Sequence, residues 1–467
     1  MNVEVPMRGA AGWAVRSVSA SALAWTLLSG TTSACAEDLL GAYRLALVHD
    51  PVLQAARHAH DAAQERLPQA RAGLLPTVGL VGNAGGQGGD ASFAQSAFVD
   101  RAVRSRSWSV QLSQPLWRPA GLLAYRQAGL QEALADEQLR QAHQDAILRL
   151  AQAYFDALLA QESLHVAQAQ QAAVQTQLEL ASRNFEVGLS AVTEVHEAQA
   201  RHHLAQAQVA GALADVALRL AELQRSLGTL PTALATLVNL APSGAAPYDG
   251  DVSRWPEGAS AWAERARRQH PAVRIQEAAL AVAEAEVSRS QASHGPTLDL
   301  VASYGRNFAS GSMGSPADVS SRVHAAQVGL NLQVPLFAGG AVSARVRESQ
   351  ALRDKVQDEL EAARRQAGFQ ALQAWSGLQH GGEQLRALAA AVESSRAAVE
   401  DNKIGYRIGT RINIDVLNAE QQLHAARRDL FRTRVDLLLN GLKLRASGGL
   451  LEEADLAAVN RLLGAPA

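Results

Sequence analysis

Gln114-Pro115-Leu116-Trp117 and Val334-Pro335-Leu336-Phe337 are two copies of one phrase, 220 residues apart. Outward from it, the same offset joins Leu75-Pro76-Thr77-Val78 to Gly295-Pro296-Thr297-Leu298, and His49-Asp50-Pro51-Val52 to Gln269-His270-Pro271-Ala272. Phe185-Glu186-Val187-Gly188 matches Tyr406-Arg407-Ile408-Gly409, and Leu227-Gly228-Thr229-Leu230 matches Gly448-Gly449-Leu450-Leu451, both at an offset of 221. Proline and glycine punctuate the backbone, so five coincident pairs mean a duplicated structural unit. The period is too long for a solenoid repeat, and each half reads as a complete unit.

The expected organisation is a signal segment at 1–36, a first repeat at 37–229 and a Pro, Gly and Ser-rich linker at 230–257. A second repeat at 258–451 and a C-terminal tail at 452–467 follow. Within each half the pattern is helix, strand, strand, long helix, long helix. Residues 38–73 and 258–293 are Ala-rich with interspersed charge and read as helices. Strands are expected near 76–84 and 106–117, and near 296–305 and 323–337, joined by loops at 84–105 and 305–322. In the strand from Ser107 to Gln114, Trp108, Val110 and Leu112 alternate with Ser109, Gln111 and Ser113; in its copy, Val328, Leu330, Leu332 and Val334 alternate with Gly329, Asn331 and Gln333. One face is apolar and the other polar, as in a half-buried sheet or a strand between lipid and a wet lumen.

Ala120 to Glu186 and Gly340 to Arg407 are made of Gln, Ala, Leu and charge. The first, 67 residues, spans roughly 100 Å as a helix. Return helices are expected from Val195 to Leu227 and from Val416 to Leu444, after turns at 188–193 and 409–414. Low aromatic content, 4% against 48% hydrophobic residues, suits long helices packed through small side chains.

Arg8 and Arg16 precede an apolar stretch from Val18 to Leu28, and Ser33-Ala34-Cys35-Ala36 follows, the layout of a cleavable export signal cut after Ala36. No later segment has the roughly 20 uncharged apolar residues of a spanning helix, so membrane passage would have to be β. Cys35, the only cysteine, falls inside the signal; acylation of Cys35 is the competing reading, weakened by the absence of Leu three positions before it. Removal of residues 1–36 takes away Glu4, Arg8 and Arg16, leaving 41 basic and 44 acidic side chains, no electrostatic footprint for nucleic acid. Four strands cannot close a barrel, and open edges in hydrocarbon leave backbone groups unsatisfied. Oligomerisation is therefore required; three copies would give twelve strands, and two would give eight.

The turn Tyr406-Arg407-Ile408-Gly409-Thr410-Arg411-Ile412-Asn413-Ile414-Asp415-Val416-Leu417-Asn418-Ala419 resembles the inner-helix turn of the TolC-like exit-duct family, and Phe185 to Val195 resembles its partner turn. The resemblance covers essentially the whole mature chain. It implies a mainly α fold with β: a homotrimer forming a 12-stranded outer-membrane β-barrel continued by a long periplasmic α-helical barrel. It further implies that Tyr406 bonds the Glu194 carboxylate, that Arg411 bonds the Thr193 region of a neighbouring hairpin, and that Asp415 supplies a ring of three carboxylates at the periplasmic entrance. Asn418 stands where the family commonly has a second Asp, and Glu194 where Asp is usual, so weaker cation selectivity is expected.

Bland alternatives stand beside these roles. Asp415 and Glu194 suit a helix start, Thr193 an N-cap, and Arg411 a solvated loop. Trp117 and Phe337 fit either a core or a membrane interface. His58-Ala59-His60 and His202-His203 lack helical zinc-site spacing. No nucleophile elbow, phosphate loop or dinucleotide fingerprint occurs, so neither an enzyme nor a cofactor or metal is expected. The family implies an inner-membrane ABC transporter and a periplasmic adaptor as partners, with outer-membrane lipid around the barrel. The turn is most similar to the type I secretion branch, implying export of a large protein such as an RTX toxin, for example cyclolysin. Small-molecule efflux is the alternative; a structural periplasmic coiled-coil adaptor and a solute porin are readings of other classes.

Overall fold

The structure, a computed structural model, describes residues 39–92, 97–188, 191–228, 258–315, 317 and 319–463. The expected signal at 1–36 and the whole linker at 230–257 lie outside the described residues. The first half contains α1 (Leu39–His49), α2 (Pro51–Gln64), α3 (Arg66–Ala72), β1 (Thr77–Ala91), β2 (Val99–Trp117), α4 (Pro119–Glu186) and α5 (Val192–Leu227). The second contains α6 (Ala259–Gln269), α7 (Pro271–Ala292), β3 (Thr297–Ser310), β4 (Ser321–Gln333), α8 (Ala341–Arg407) and α9 (Asn413–Ser447), and α10 (Glu453–Leu462) follows. The duplicated order read from the prolines and glycines is therefore the order of the elements.

Each matched phrase has a mechanical role. Pro51 and Pro271 open α2 and α7, where the missing N–H is not needed. Asp50 caps α2 by accepting from Val52 N at 2.9 Å, and His270 caps α7 by accepting from Ala272 N at 3.1 Å. Gly228 (φ 66°) and Gly449 (φ 68°) follow α5 and α9 and press against the backbone carbonyls of His49 and Gln269 respectively. The end of each return helix is thus locked onto the proline turn of its own half.

Burial holds the His270 imidazole below its usual pKa, with Asp145 opposing weakly, and its capping role needs an unprotonated Nδ1. The unfolded chain binds that proton more readily, so this contribution is complete above a pH of about 6.5 and is lost as pH falls through the lowered folded value. Melting at pH 5 and 7 should therefore differ less in His270→Asn, which keeps an acceptor, with about 1 kcal/mol at stake for the cap. An unchanged pH difference would remove His270 from the cap.

Three expectations are corrected. Pro68 divides the first helical segment: its ring crowds the carbonyl of Gln64, four residues back, so α2 ends at Gln64 and α3 starts at Arg66. α7, with no proline after Pro271, runs unbroken for 22 residues. The strands also extend into the expected loops, with Ala84 opposite Arg106, Ala91 opposite Val99 and Phe308 opposite Arg322. Backbone pairing outlasts side-chain alternation here. The C-terminal tail contains α10, whose Leu456 and Val459 join α1 in the largest core cluster, and Leu39 N donates to Asn460 Oδ1 at 3.1 Å.

That cluster combines Leu39 and Tyr43 of α1, Leu150, Tyr154 and Phe155 of α4, Leu223 and Leu227 of α5, and Leu438 and Leu442 of α9. It joins the two halves between the middle of α4 and the C-terminal parts of α5 and α9. The strands form one antiparallel sheet in the order β1-β2-β3-β4, leaving β1 and β4 as edges. Register places Val78, Leu80, Val110, Leu112, Leu298, Leu300, Leu330 and Leu332 on one face and Ser109, Gln111, Ser303, Gln327 and Asn331 on the other. Val328 is 74% exposed, Leu80 73% and Leu330 66%, so the apolar face is uncovered within the chain. Among the described residues no helix is long and apolar enough to cross a membrane.

Candidate gate at the helical turns

The far ends of the two long hairpins are built alike. Gly188 (φ 76°) and Gly409 (φ 77°) take the left-handed conformation that stops α4 and α8, and their N–H groups donate to the carbonyls of Phe185 and Tyr406 at 3.0 and 3.1 Å. In the second turn the Gly405 carbonyl accepts from Thr410 N at 2.9 Å, Arg411 N at 3.2 Å and Thr410 Oγ1 at 3.2 Å. A side chain at Gly405 would collide with Arg411, its Cβ falling 2.7 Å from Arg411 Cγ. Residues 405–411 are therefore a tightly tied loop.

The sequence-predicted residues gather at these turns, with partners that differ from some expectations. Tyr406 Oη accepts from Asn184 Nδ2 at 3.0 Å; no bond between Tyr406 and Glu194 is present among the described residues. Glu194 sits at the third position of α5 and lines a small cleft with Glu197, Ala198, Ile412, Ile414 and Leu417. The start of α5 therefore faces the start of α9, but through apolar side chains. Thr193 is the second helical residue and Ala191 occupies the N-cap, so Thr193 does not cap the helix. Arg411 Nη1 lies 3.8 Å from Asp415 Oδ2 in the same chain, and Ile412 N donates to that oxygen at 3.5 Å. Within one chain Asp415 thus serves the start of α9, as a helix-start carboxylate does.

Two bonds tie the α4–α5 hairpin to the α8–α9 hairpin near the turns: Asn184 to Tyr406, and Arg201 Nη1 to Asn418 Oδ1 at 3.1 Å. Lys403 Nζ, 2.9 Å from the buried Glu420 carboxylate, ties α8 to α9. Sequence reading missed Asn184, Arg201, Lys403 and Glu420, because polar residues occur all along these helices and nothing in their spacing marks the ones that meet. Near the turns the hairpins thus meet through these polar contacts as well as through the apolar side chains of Ala198, Ile412, Ile414 and Leu417.

The family model for outer membrane efflux proteins matches residues 42–229 and 262–450, the same two halves that the repeat defines. The chain belongs to the outer membrane efflux protein family. The chain is similar to the proteases secretion protein PrtF of Dickeya chrysanthemi, 32% identical over 435 residues with 91% of this chain and 90% of the relative covered. The alkaline protease secretion protein AprF of Pseudomonas aeruginosa is 33% identical with 91% and 87% covered. The outer membrane protein TolC of Vibrio cholerae is 31% identical with 92% and 95% covered. The outer-membrane channel OprN shares the fold at a TM-score of 0.71 and 22% identity, covering 88% of this chain and 89% of its own; VceC of Vibrio cholerae does so at 0.72 and 18%, covering 88% and 96%. An outer membrane efflux protein places its sheet in the outer membrane and its helices in the periplasm. Trp117 and Phe337, 59% and 89% exposed, then lie at the periplasmic end of the sheet, outside the chain's own core.

Proposed function

We propose that three copies of this chain form one duct, a 12-stranded outer-membrane β-barrel continued by a periplasmic helical barrel. The duct would serve as the exit of a type I protein secretion system. The carrying observation is the sheet itself: four strands, apolar on one face and polar on the other, with β1 and β4 unpaired. Edges of that kind are tolerated in a membrane only when a neighbouring copy closes them. Two relatives named for protease secretion support a protein cargo, an RTX toxin being of that kind. An inner-membrane ABC transporter and a periplasmic adaptor would supply energy and substrate choice, by binding the open duct better than the closed one. No catalytic step is assigned to the chain.

At the periplasmic entrance Thr193, Glu194, Tyr406, Arg411 and Asp415 would form the gate. Three Asp415 carboxylates about a threefold axis would concentrate cations, each partly screened by its own Arg411. Asp415→Ala should abolish most of the cation preference in planar bilayers and Arg411→Ser should raise it. Unchanged reversal potentials in both would exclude the ring.

The duct reading is tested by extracting the mature chain from outer membranes, measuring its mass in detergent and recording conductance. A trimer with a small resting conductance supports it, whereas a soluble periplasmic monomer overturns it. Loss of protein export with unchanged small-molecule resistance on deletion would support the protein cargo; the converse would favour efflux.

A further inference from the structure

The apolar face of the sheet ends in a row of cations. Followed from the helices toward the hairpin tips, that face carries Trp117, Leu298 and Leu332, then Leu112, Val110, Leu330 and Val328, then Trp108 and Tyr304, whose rings meet edge to face at 6.0 Å. Beyond them the same face turns basic. Arg306 lies level with Trp108 and His324, Arg106 with Phe308 and Arg322, and Arg104 with Ser310.

Among the described residues the four guanidiniums have no carboxylate partner. Arg104, Arg106, Arg306 and Arg322 form no ion pair among the described residues, and the contact recorded for Arg322 is with the Phe308 ring, 5.6 Å from its centroid. The acidic residues of this face, Asp90 and Asp100, stand opposite each other further toward the tips. Trp117 pairs with Leu298 and Trp108 with Arg306, with a bulge between Pro115 and Trp117, so the two tryptophans are about eight residues of ladder apart, about 27 Å along the strand and about 20 Å of height at a tilt near 40°. That approximates an apolar band about 25 Å tall bounded by aromatic rings. The arginines therefore begin where hydrocarbon gives way to headgroups on the outer side, a level at which a lipid-facing cation costs little.

We propose that this row binds the phosphate groups of a phosphorylated glycolipid in the outer leaflet. Guanidinium forks match phosphate oxygens in charge and geometry, and Arg306 is the diagonal neighbour of both Arg106 and Arg322 in the register, about 7–8 Å away and within reach of long side chains, so several forks can share one headgroup. Below the row, the apolar strip, interrupted on β2 only by Gln114 opposite Leu300, receives acyl chains, which ties the ligand to the bilayer rather than to dissolved phosphate. Phe308, bracketed by Arg106 and Arg322 in the register, keeps those two cations apart and gives Arg322 a surface to rest on.

The inference rests on the barrel proposed above, and its test separates the two. Wild-type protein would be extracted from membranes, checked for trimer mass and conductance, and incubated with bis-phosphorylated lipid A or the same lipid dephosphorylated, with retained lipid counted by native mass spectrometry. At least tenfold greater retention of the phosphorylated lipid is expected, and the triple variant R106S, R306S, R322S should lose that preference while its trimer mass and conductance persist. Equal retention of the two lipids by an intact wild-type trimer overturns the lipid site alone, whatever the variant does. A triple variant that stays trimeric and keeps the full preference overturns it as well. Failure to recover a membrane trimer overturns both readings.

Discussion

Tyr406→Phe combined with Arg201→Ala is expected to turn a duct of small resting conductance into one with large, long-lived openings. The pair removes two bonds between the hairpins near their turns, Asn184 to Tyr406 and Arg201 to Asn418, and leaves the large apolar core intact. Each bond contributes about 1 kcal/mol when partly exposed. Two per chain in the three chains of the proposed duct sum to about 6 kcal/mol, and if half survives non-additivity the closed state loses about 3 kcal/mol, on the order of a hundredfold in open occupancy. Single-channel recording of the purified trimer checks this. Wild-type conductance from a trimer of normal mass would show that the two bonds do not hold the entrance shut. The packing explains why the effect should be confined to the entrance. The large apolar cluster fixes the two halves to each other through Leu150, Tyr154, Leu438 and Leu442, whereas a smaller one, Val392, Val399, Ala419 and Leu423, lies wholly between α8 and α9. The α8–α9 hairpin is therefore packed within itself near its turn, and removal of the two polar bonds is expected to loosen its attachment to the other hairpin there while the large cluster stays in place.

The duplication and the length of the helices were legible because backbone-constraining residues carry them: Pro51 and Pro271, Pro76 and Pro296, Gly188 and Gly409 stand where a chain must turn or start a helix. The strands were legible where Trp108, Val110 and Leu112 alternate with polar residues, and illegible from Ala84 to Ala91, where glycine gives no alternation although the ladder continues. Pro68 was a visible signal that the helix reading passed over. At the gate, the turns could be located but the bonding partners could not. Which of many helical Asn and Arg side chains meets Tyr406 or Asn418 depends on the rotation and crossing of helices dozens of residues long, a tertiary property with no local sequence signal. α10 was hidden for a related reason: Leu456 and Val459 are ordinary apolar residues until α1 is brought against them.

The largest stability loss is expected from Gly228→Ala, and Gly188→Ala is the comparison that gives it meaning. Both glycines have positive φ, 66° and 76°, so both variants carry the left-handed strain of about 1–2 kcal/mol. They differ in surroundings. At Gly188 an added Cβ meets nothing within 4 Å, whereas at Gly228 it would lie 2.0 Å from the His49 carbonyl oxygen and 2.6 Å from its carbon. Those are backbone atoms, so no rotamer change relieves the overlap. The end of α5 would have to move away from the turn before α2, uncovering Leu223 and Leu227, which are 2% and 1% exposed. Uncovering even one buried leucine costs about 1.5–3 kcal/mol, which places Gly228→Ala at about 2.5–5 kcal/mol in total once the left-handed strain is added, against about 1–2 kcal/mol for Gly188→Ala. Gly449→Ala should behave as Gly228→Ala does, since its Cβ would fall 2.5 Å from the Gln269 carbonyl oxygen. The measurement is the midpoint of heat or denaturant unfolding followed by helical signal. Equal losses in Gly228→Ala and Gly188→Ala would mean that only the left-handed conformation matters and that the lock between return helix and proline turn contributes nothing. A much larger loss at both Gly228 and Gly449 would mean that the duplicated Pro and Gly phrases persist together because each half closes on itself through that contact.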